Sequence, residues 1–142
     1  MKALKTALTA VVFVIALSAS AFADTYGAQF CWNMDDGKTN EVYLLKVGVM
    51  DFGRGHYSLA GTKTVLTRSG TKSAVQIAQG NMELIDSNYE MGLQVSDIPG
   101  TNTLVVEDIH FVLDWSLNGY YYRVNDTESK FNGLAILVQC PQ

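Results

Sequence analysis

Apolar and polar residues alternate with a period of two through most of the chain after residue 23. The run from Tyr26 to Met34 has an apolar residue at every second position, and the run from Tyr43 to Val49 repeats this pattern. Alternate side chains of a β-strand point to the same face, so each run describes a strand with one buried face. Helical spacing is almost absent. The alternation therefore predicts an all-β chain.

Turn-forming residues separate the alternating runs into about eight strands. Asn118-Gly119 predicts a two-residue type I′ hairpin, since both positions of that turn need φ > 0. The run from Leu134 to Cys140 is almost continuously apolar, which predicts a last strand buried on both faces. The other turn signals are Asp36-Gly37, Gly53-Arg54-Gly55, Ser69-Gly70, Pro99-Gly100 and Asn132-Gly133.

The N-terminus has the pattern of a secretory signal. Lys2 and Lys5 precede an uncharged run, 7–23, that is rich in Ala, Val and Leu and ends in Ala21-Phe22-Ala23. Signal peptidase recognises such small-x-small ends. We predict that residues 1–23 are a signal peptide cleaved after Ala23 and that residues 24–142 form a single secreted or periplasmic all-β domain. An N-terminal membrane anchor is the alternative, although this run is at the short limit for a ~30 Å hydrocarbon core.

The two cysteines, Cys31 and Cys140, lie near opposite ends of the predicted mature chain. In an exported protein they predict one disulfide, which requires the first and last strands to be neighbours. We expect a small antiparallel up-and-down β-barrel of about eight strands, lipocalin-like in architecture, because closure removes the sheet edges. A two-sheet β-sandwich is the alternative. The lipocalin Gly-x-Trp signature is absent, since Gly27 and Trp32 are five apart, so we assign no family.

Charge and composition limit the partners. The chain of 142 residues has a formal net charge of −4, and cleavage after Ala23 removes two lysines and no acid, giving −6. Such a chain has no cationic excess for phosphates, so we expect no nucleic-acid partner. We also expect no stable membrane insertion, since the strands lack two aromatic girdles and the C-terminus lacks a terminal aromatic. The oligomeric state stays open.

No catalytic motif is visible. The chain has no Gly-x-Ser-x-Gly elbow, and its two histidines, His56 and His110, stand in no evident arrangement of base and orienting group. Asp108 and Asp114 flank His110, but we interpret these three residues as surface groups rather than metal ligands. We therefore expect a non-catalytic protein with no metal and no cofactor.

Glu107 interrupts an apolar strand face between Val105 and Ile109. A carboxylate on a buried face needs a partner or a raised pKa. Two interpretations remain open: a structural ion pair, or a polar anchor for a ligand inside the barrel. The cations considered for the ion pair are Arg54, Arg123 and Lys46.

The expected function is that of a secreted binding protein holding a small, mostly apolar ligand in the barrel. Small residues on one face of the fourth strand, Ala74, Ala78 and Gly80, would leave room for it. The alternative is a protein–protein interaction or structural module acting through its surface, a strand edge or the tyrosines at 120–122. The predicted ligand-binding residues are Tyr57, Met91, Glu107, Phe111, Trp115 and Tyr122.

Overall fold

The structure, a computed structural model, describes residues 27–98, 106–124 and 132–142. Each strand pairs antiparallel with the next, and the last pairs back with the first, so the sheet closes into an eight-stranded barrel. This confirms the predicted barrel over the sandwich. The predicted signal peptide lies outside the described residues. The strands are β1 (Ala28–Asp35), β2 (Glu41–Gly53), β3 (His56–Thr67), β4 (Lys72–Ile85), β5 (Asn88–Asp97), β6 (Val106–Leu113), β7 (Gly119–Arg123) and β8 (Gly133–Val138).

The alternation of the sequence determines which residues face the interior. Trp32 of β1 lies opposite Leu45 of β2, and Val49 of β2 lies opposite Leu59 of β3, so neighbouring strands direct their apolar residues to the same side. Large side chains, including Trp32 and Phe111 with no exposed surface, fill the middle of the barrel. No helix in the described part of the chain is long and apolar enough to cross a bilayer.

The disulfide joins Cys31 on β1 to Cys140, just beyond the end of β8. The Cα atoms of the two cysteines are 5.1 Å apart, within the range that a disulfide requires. Cys31 lies directly opposite Val138 in the β1–β8 register. The predicted bond between the first and last strands is therefore confirmed, and it lies at the junction that closes the barrel.

The small residues of β4 do not leave the expected room, since Ala74 is exposed and Ala78 is buried in the core. A Cβ atom at Gly80 would lie only 1.9 Å from the carbonyl oxygen of Gly92 on β5. The neighbouring backbone therefore occupies the space that a side chain at Gly80 would need, and glycine allows β4 and β5 to approach closely at this position. Any space for a ligand therefore lies elsewhere in the barrel.

Two local predictions are wrong. In β8, Leu134 is 52% exposed and Ile136 is 44% exposed, so this strand alternates between a wet and a dry face instead of being buried on both. The β6–β7 connection is the five-residue turn 114–118, because β7 begins with Gly119 opposite Leu113. Leu117, not Asn118 or Gly119, has the positive φ of 62° in this turn.

The β7–β8 junction is the shortest in the barrel, with only three paired positions. Asparagine side chains extend it at both ends. The Oδ1 atom of Asn118 accepts a hydrogen bond from the Leu137 amide at 2.7 Å, and the Oδ1 atom of Asn132 accepts one from the Arg123 amide. These bonds satisfy amides that would otherwise lack a strand partner at this junction.

Candidate functional site

One end of the barrel opens into an apolar cavity of about 160 Å³, which we call the mouth cavity. This end carries the β2–β3, β4–β5 and β6–β7 turns and the start of β1. The lining side chains come from the inward positions of five strands and from the 114–118 turn. They are Phe30, Val49, Tyr57, Met82, Tyr89, Trp115 and Leu117.

Aromatic rings form adjoining walls of the mouth cavity at steep angles. The centroids of Tyr57 and Tyr89 are 6.2 Å apart with an interplanar angle of 58°, and those of Tyr89 and Trp115 are 5.8 Å apart at 81°. Both centroid distances lie in the range favourable for aromatic pairs, and the Tyr89–Trp115 pair is edge-to-face. Trp115 is 63% exposed, so it forms the outer rim, whereas Met82 is buried.

Hydrogen bonds hold the 114–118 turn against the barrel. The indole Nε1 of Trp32 donates to the Leu117 carbonyl at 2.7 Å. The Asp114 carboxylate accepts bonds from the Ser116 hydroxyl and from the Ser116 and Asn118 amides. The Ser116 hydroxyl bond and these amides lower the pKa of Asp114, so it carries its negative charge down to acidic pH. Trp115 is therefore presented from a turn with a fixed backbone.

Exposed carboxylates lie at the same end of the barrel as the mouth cavity. Asp51 lies near the end of β2 and accepts a hydrogen bond from the Gly53 amide at 2.7 Å. Burial raises the pKa of the Tyr57 hydroxyl, and the neighbouring Tyr89 and Asp51 raise it further. Tyr57 therefore stays neutral at physiological pH. Asp86 in the β4–β5 turn adds another carboxylate at this end.

The barrel interior near the opposite end holds an ion cluster of Lys63, Glu107 and Arg123. The Lys63 Nζ atom lies 3.0 Å from the Glu107 Oε2 atom, and the Arg123 Nε atom contacts Oε1 of the same carboxylate. Lys63 is only 3% exposed, and its Nζ atom lies 4.2 Å from the centre of the Tyr43 ring. Burial lowers the pKa of Lys63, against the opposing effect of Glu107.

Glu107 thus has the structural ion pairs that one interpretation of the sequence required. Burial alone would raise the pKa of Glu107, but Lys63 and Arg123 together hold it below its ordinary value. Of the three cations considered from the sequence, only Arg123 is a partner of Glu107. The other partner, Lys63, escaped sequence reasoning, although the alternation of β3 does place it on the inward face with Leu59.

The structure gathers two of the six predicted ligand-binding residues at the mouth cavity, Tyr57 and Trp115. Met91 and Phe111 face inward but lie in the packed core with no exposed surface. Glu107 belongs to the ion cluster, and Tyr122 lies on the outer wall with its ring 5.1 Å from His110. The cavity residues that sequence reasoning left out are Phe30, Val49, Met82, Tyr89 and Leu117. The alternation identifies all of them except Leu117 as inward-facing.

The outer wall carries a larger groove of about 510 Å³ across β3 to β6. Gly92 and His110 line this groove and also border a neighbouring groove of about 230 Å³. Both are open depressions whose linings mix polar side chains, such as Gln79 and Glu90, with apolar ones. We place the candidate site in the mouth cavity, because small-molecule sites are usually concave and mainly apolar. The described residues contain no group of three His, Cys, Asp or Glu side chains that could hold a metal ion.

The chain matches no protein-family model, no curated protein and no solved structure. The closed barrel is compatible with a binding protein, since barrels of eight strands can hold one small ligand.

Proposed function

We propose that this protein is a secreted, non-catalytic binding protein that holds a small, mostly apolar group in the mouth cavity. The observation that carries the proposal is a concave space of about 160 Å³ lined entirely by apolar and aromatic residue types. An apolar cavity of about 150 Å³ can bind benzene. The site therefore fits one ring or a short branched alkyl group, and the rest of a larger ligand would extend past Trp115 into solvent.

The surroundings of the cavity support binding without catalysis. The two histidines face the outside of the barrel, where His56 lies 3.3 Å from Glu83 and His110 lies 3.5 Å from Glu90. Neither lines the mouth cavity. A rigid closed barrel with a preformed apolar opening also favours affinity, because little conformational entropy is lost when a ligand binds.

Toluene is a suitable first probe for the mouth cavity. We expect it to shift the methyl NMR signals of Met82 and Leu117 and to protect Trp115 from quenching by acrylamide. Trp32 is the only other tryptophan and has no exposed surface, so the quenchable emission reports on the mouth.

Two variants of β2 make this test specific. Val49→Phe places a ring in the cavity and should abolish toluene binding, because the available volume is filled. Val42→Phe adds the same ring on the outward face of the same strand and should bind toluene as the wild type does. The proposal fails if toluene leaves the mouth signals unchanged, or if Val49→Phe binds it as tightly as the wild type.

An interaction module acting through its surface is the second candidate. The closed barrel has no free edge between β1 and β8, so this role would fall to the outer wall. Leu134 and Ile136 provide exposed apolar area there. A Leu134→Lys, Ile136→Lys double variant should reverse any self-association seen by sedimentation if this wall is an interface. A wild type that stays monomeric at high concentration would contradict self-association through this wall.

A further inference from the structure

We propose that the ligand group in the mouth cavity is a tertiary or quaternary ammonium, enclosed by the aromatic walls and attracted by the carboxylates around them. This inference rests on the proposed function, because it names the chemical class of ligand for the same cavity. An ammonium covered by methyl groups has an apolar surface and a positive charge, so it suits both the lining and the rim.

The aromatic rings of the mouth cavity favour a cationic ligand. Tyr89 adjoins Tyr57 on one side and Trp115 on the other, at interplanar angles of 58° and 81°. All three rings line the mouth cavity, so they border a shared space from different directions. The face of an aromatic ring carries negative electrostatic potential, and tryptophan gives the strongest attraction to a cation within about 6 Å. Aromatic cages of this kind recognise quaternary ammonium groups.

Unpaired carboxylates at the mouth are the second argument. Among the described residues, Asp51, Asp86 and Asp114 make no ion pair, although all three are exposed at this end of the barrel. Asp51 accepts a hydrogen bond from a backbone amide of its own turn, and Asp114 accepts bonds from groups of the 114–118 turn, so none of these hydrogen-bond partners is a cation.

The opposite end of the barrel differs in this respect. There the guanidinium of Arg68 forms two hydrogen bonds to the Asp35 carboxylate, at 2.8 and 2.9 Å, and Glu107 contacts two cations. Protein cations thus neutralise Asp35 and Glu107 at that end, although Asp36 there makes no ion pair among the described residues. At the mouth end, Arg54 in the β2–β3 turn makes no ion pair with the three aspartates, so they remain available to a cation from outside. This negative field would raise the local concentration of a cationic ligand.

Choline and its neutral isostere 3,3-dimethylbutan-1-ol provide the test, because they share shape and differ in charge. We expect titration calorimetry of the purified protein to give a Kd for choline that is about tenfold or more below the Kd for the alcohol. Trp115→Leu keeps an apolar rim but removes the ring. It should weaken choline binding by about fivefold or more and leave binding of the alcohol within about twofold.

A pair of charge variants distinguishes the contribution of the carboxylates to choline binding from the contribution of the aromatic rings. Asp51→Asn keeps an oxygen for the Gly53 amide and removes the charge at the mouth, so it should weaken choline binding. Asp36→Asn makes the same change in the β1–β2 turn at the opposite end, where Asp36 also accepts backbone amides, and should leave binding unchanged.

The outcomes distinguish this inference from the proposed function. Equal affinity for choline and the alcohol, or binding of toluene without choline, overturns the ammonium assignment and leaves the apolar site intact. Failure of toluene, choline and the alcohol alike overturns both. Preference for choline that survives unchanged in Trp115→Leu and Asp51→Asn also overturns the assignment, because the cation would then bind elsewhere.

Discussion

At the scale of single residues, the ion cluster inside the barrel buries charged groups, which lowers stability unless the charges are paired. Lys63 is almost fully buried, and removing a charge from water has a large desolvation penalty. The shared carboxylate of Glu107 compensates both cations, so the three side chains depend on one another. Apolar residues of similar volume would often be as stable as such a cluster.

Replacing Glu107 should cost more stability than replacing Lys63. Glu107→Gln leaves Lys63 and Arg123 without a counter-charge and should lower the free energy of unfolding by about 3 kcal/mol, the lower end for broken buried pairs, because Arg123 is partly exposed. Lys63→Met keeps the Glu107–Arg123 pair and should change it by less than about 1.5 kcal/mol. Urea unfolding at pH 7 measures both. An equal loss in the two variants would contradict this account.

The same carboxylate predicts how stability depends on pH. The pKa of Glu107 lies below its ordinary value of 4.5, so the folded protein binds fewer protons than the unfolded chain near that pH. Its stabilising contribution is complete above about pH 4.5 and is lost as the pH falls through the folded pKa. Urea unfolding from pH 7 to pH 3 should therefore show a steeper decline for the wild type than for Glu107→Gln. Parallel curves would disprove the linkage.

At the scale of strands, glycine determines how closely β4 and β5 approach. Gly80 faces the Gly92 carbonyl so closely that a Cβ atom cannot be accommodated, whereas a Cβ atom at Gly92 would meet nothing within 4 Å. The two glycines lie on adjacent strands and differ in the space around them.

Alanine substitutions at these glycines should differ sharply in effect. Gly80→Ala should destabilise the barrel by about 3 kcal/mol or more, because backbone atoms have to move to admit the methyl group. Gly92→Ala should change stability by less than about 0.5 kcal/mol, as expected for an open surface position. Thermal or urea unfolding of both variants makes the comparison, and similar midpoints would show that the approach of β4 to β5 is easily relaxed.

Strand alternation and the cysteine pair favoured the closed barrel over the alternative of a sandwich, because both are patterns along the chain. The 114–118 turn was not predictable in the same way. The Asp114 carboxylate collects three bonds there, and Leu117 takes the positive φ, so side-chain bonding overrides the preference of Asn-Gly for a two-residue turn. That error also hid the contribution of Leu117 to the mouth cavity.

The candidate site was only partly predictable, because its members depend on depth along the barrel as well as on the face of a strand. Tyr57 and Met91 both face inward, but Tyr57 reaches the mouth and Met91 lies in the packed core. The alternation predicts on which face of a strand a residue lies, but not how deep in the barrel that residue lies. The partner of a buried charged residue is harder still to predict from the sequence, since Lys63 pairs with a carboxylate 44 positions away.

At the scale of the whole molecule, the disulfide spans 109 positions and should contribute substantially to stability. In the chain-entropy model, a crosslink closing about 100 residues contributes roughly 4–5 kcal/mol by restricting the unfolded chain. A Cys31→Ala, Cys140→Ala double variant should lose most of this amount in urea unfolding without reductant. Adding dithiothreitol should then destabilise the wild type and leave the double variant unchanged; an effect on both would point to a cause other than this bond.

The position of this disulfide also has a mechanical consequence. A pulling force applied between residues 27 and 142 would pass from Cys31 directly to Cys140 through the sulfur atoms, so the chain between them would carry almost no tension. All the strands after the first part of β1 lie within that protected segment. While the bond is oxidised, the chain should therefore extend by only a few residues under load. After reduction, the same load should be able to unfold the barrel and extend the whole chain.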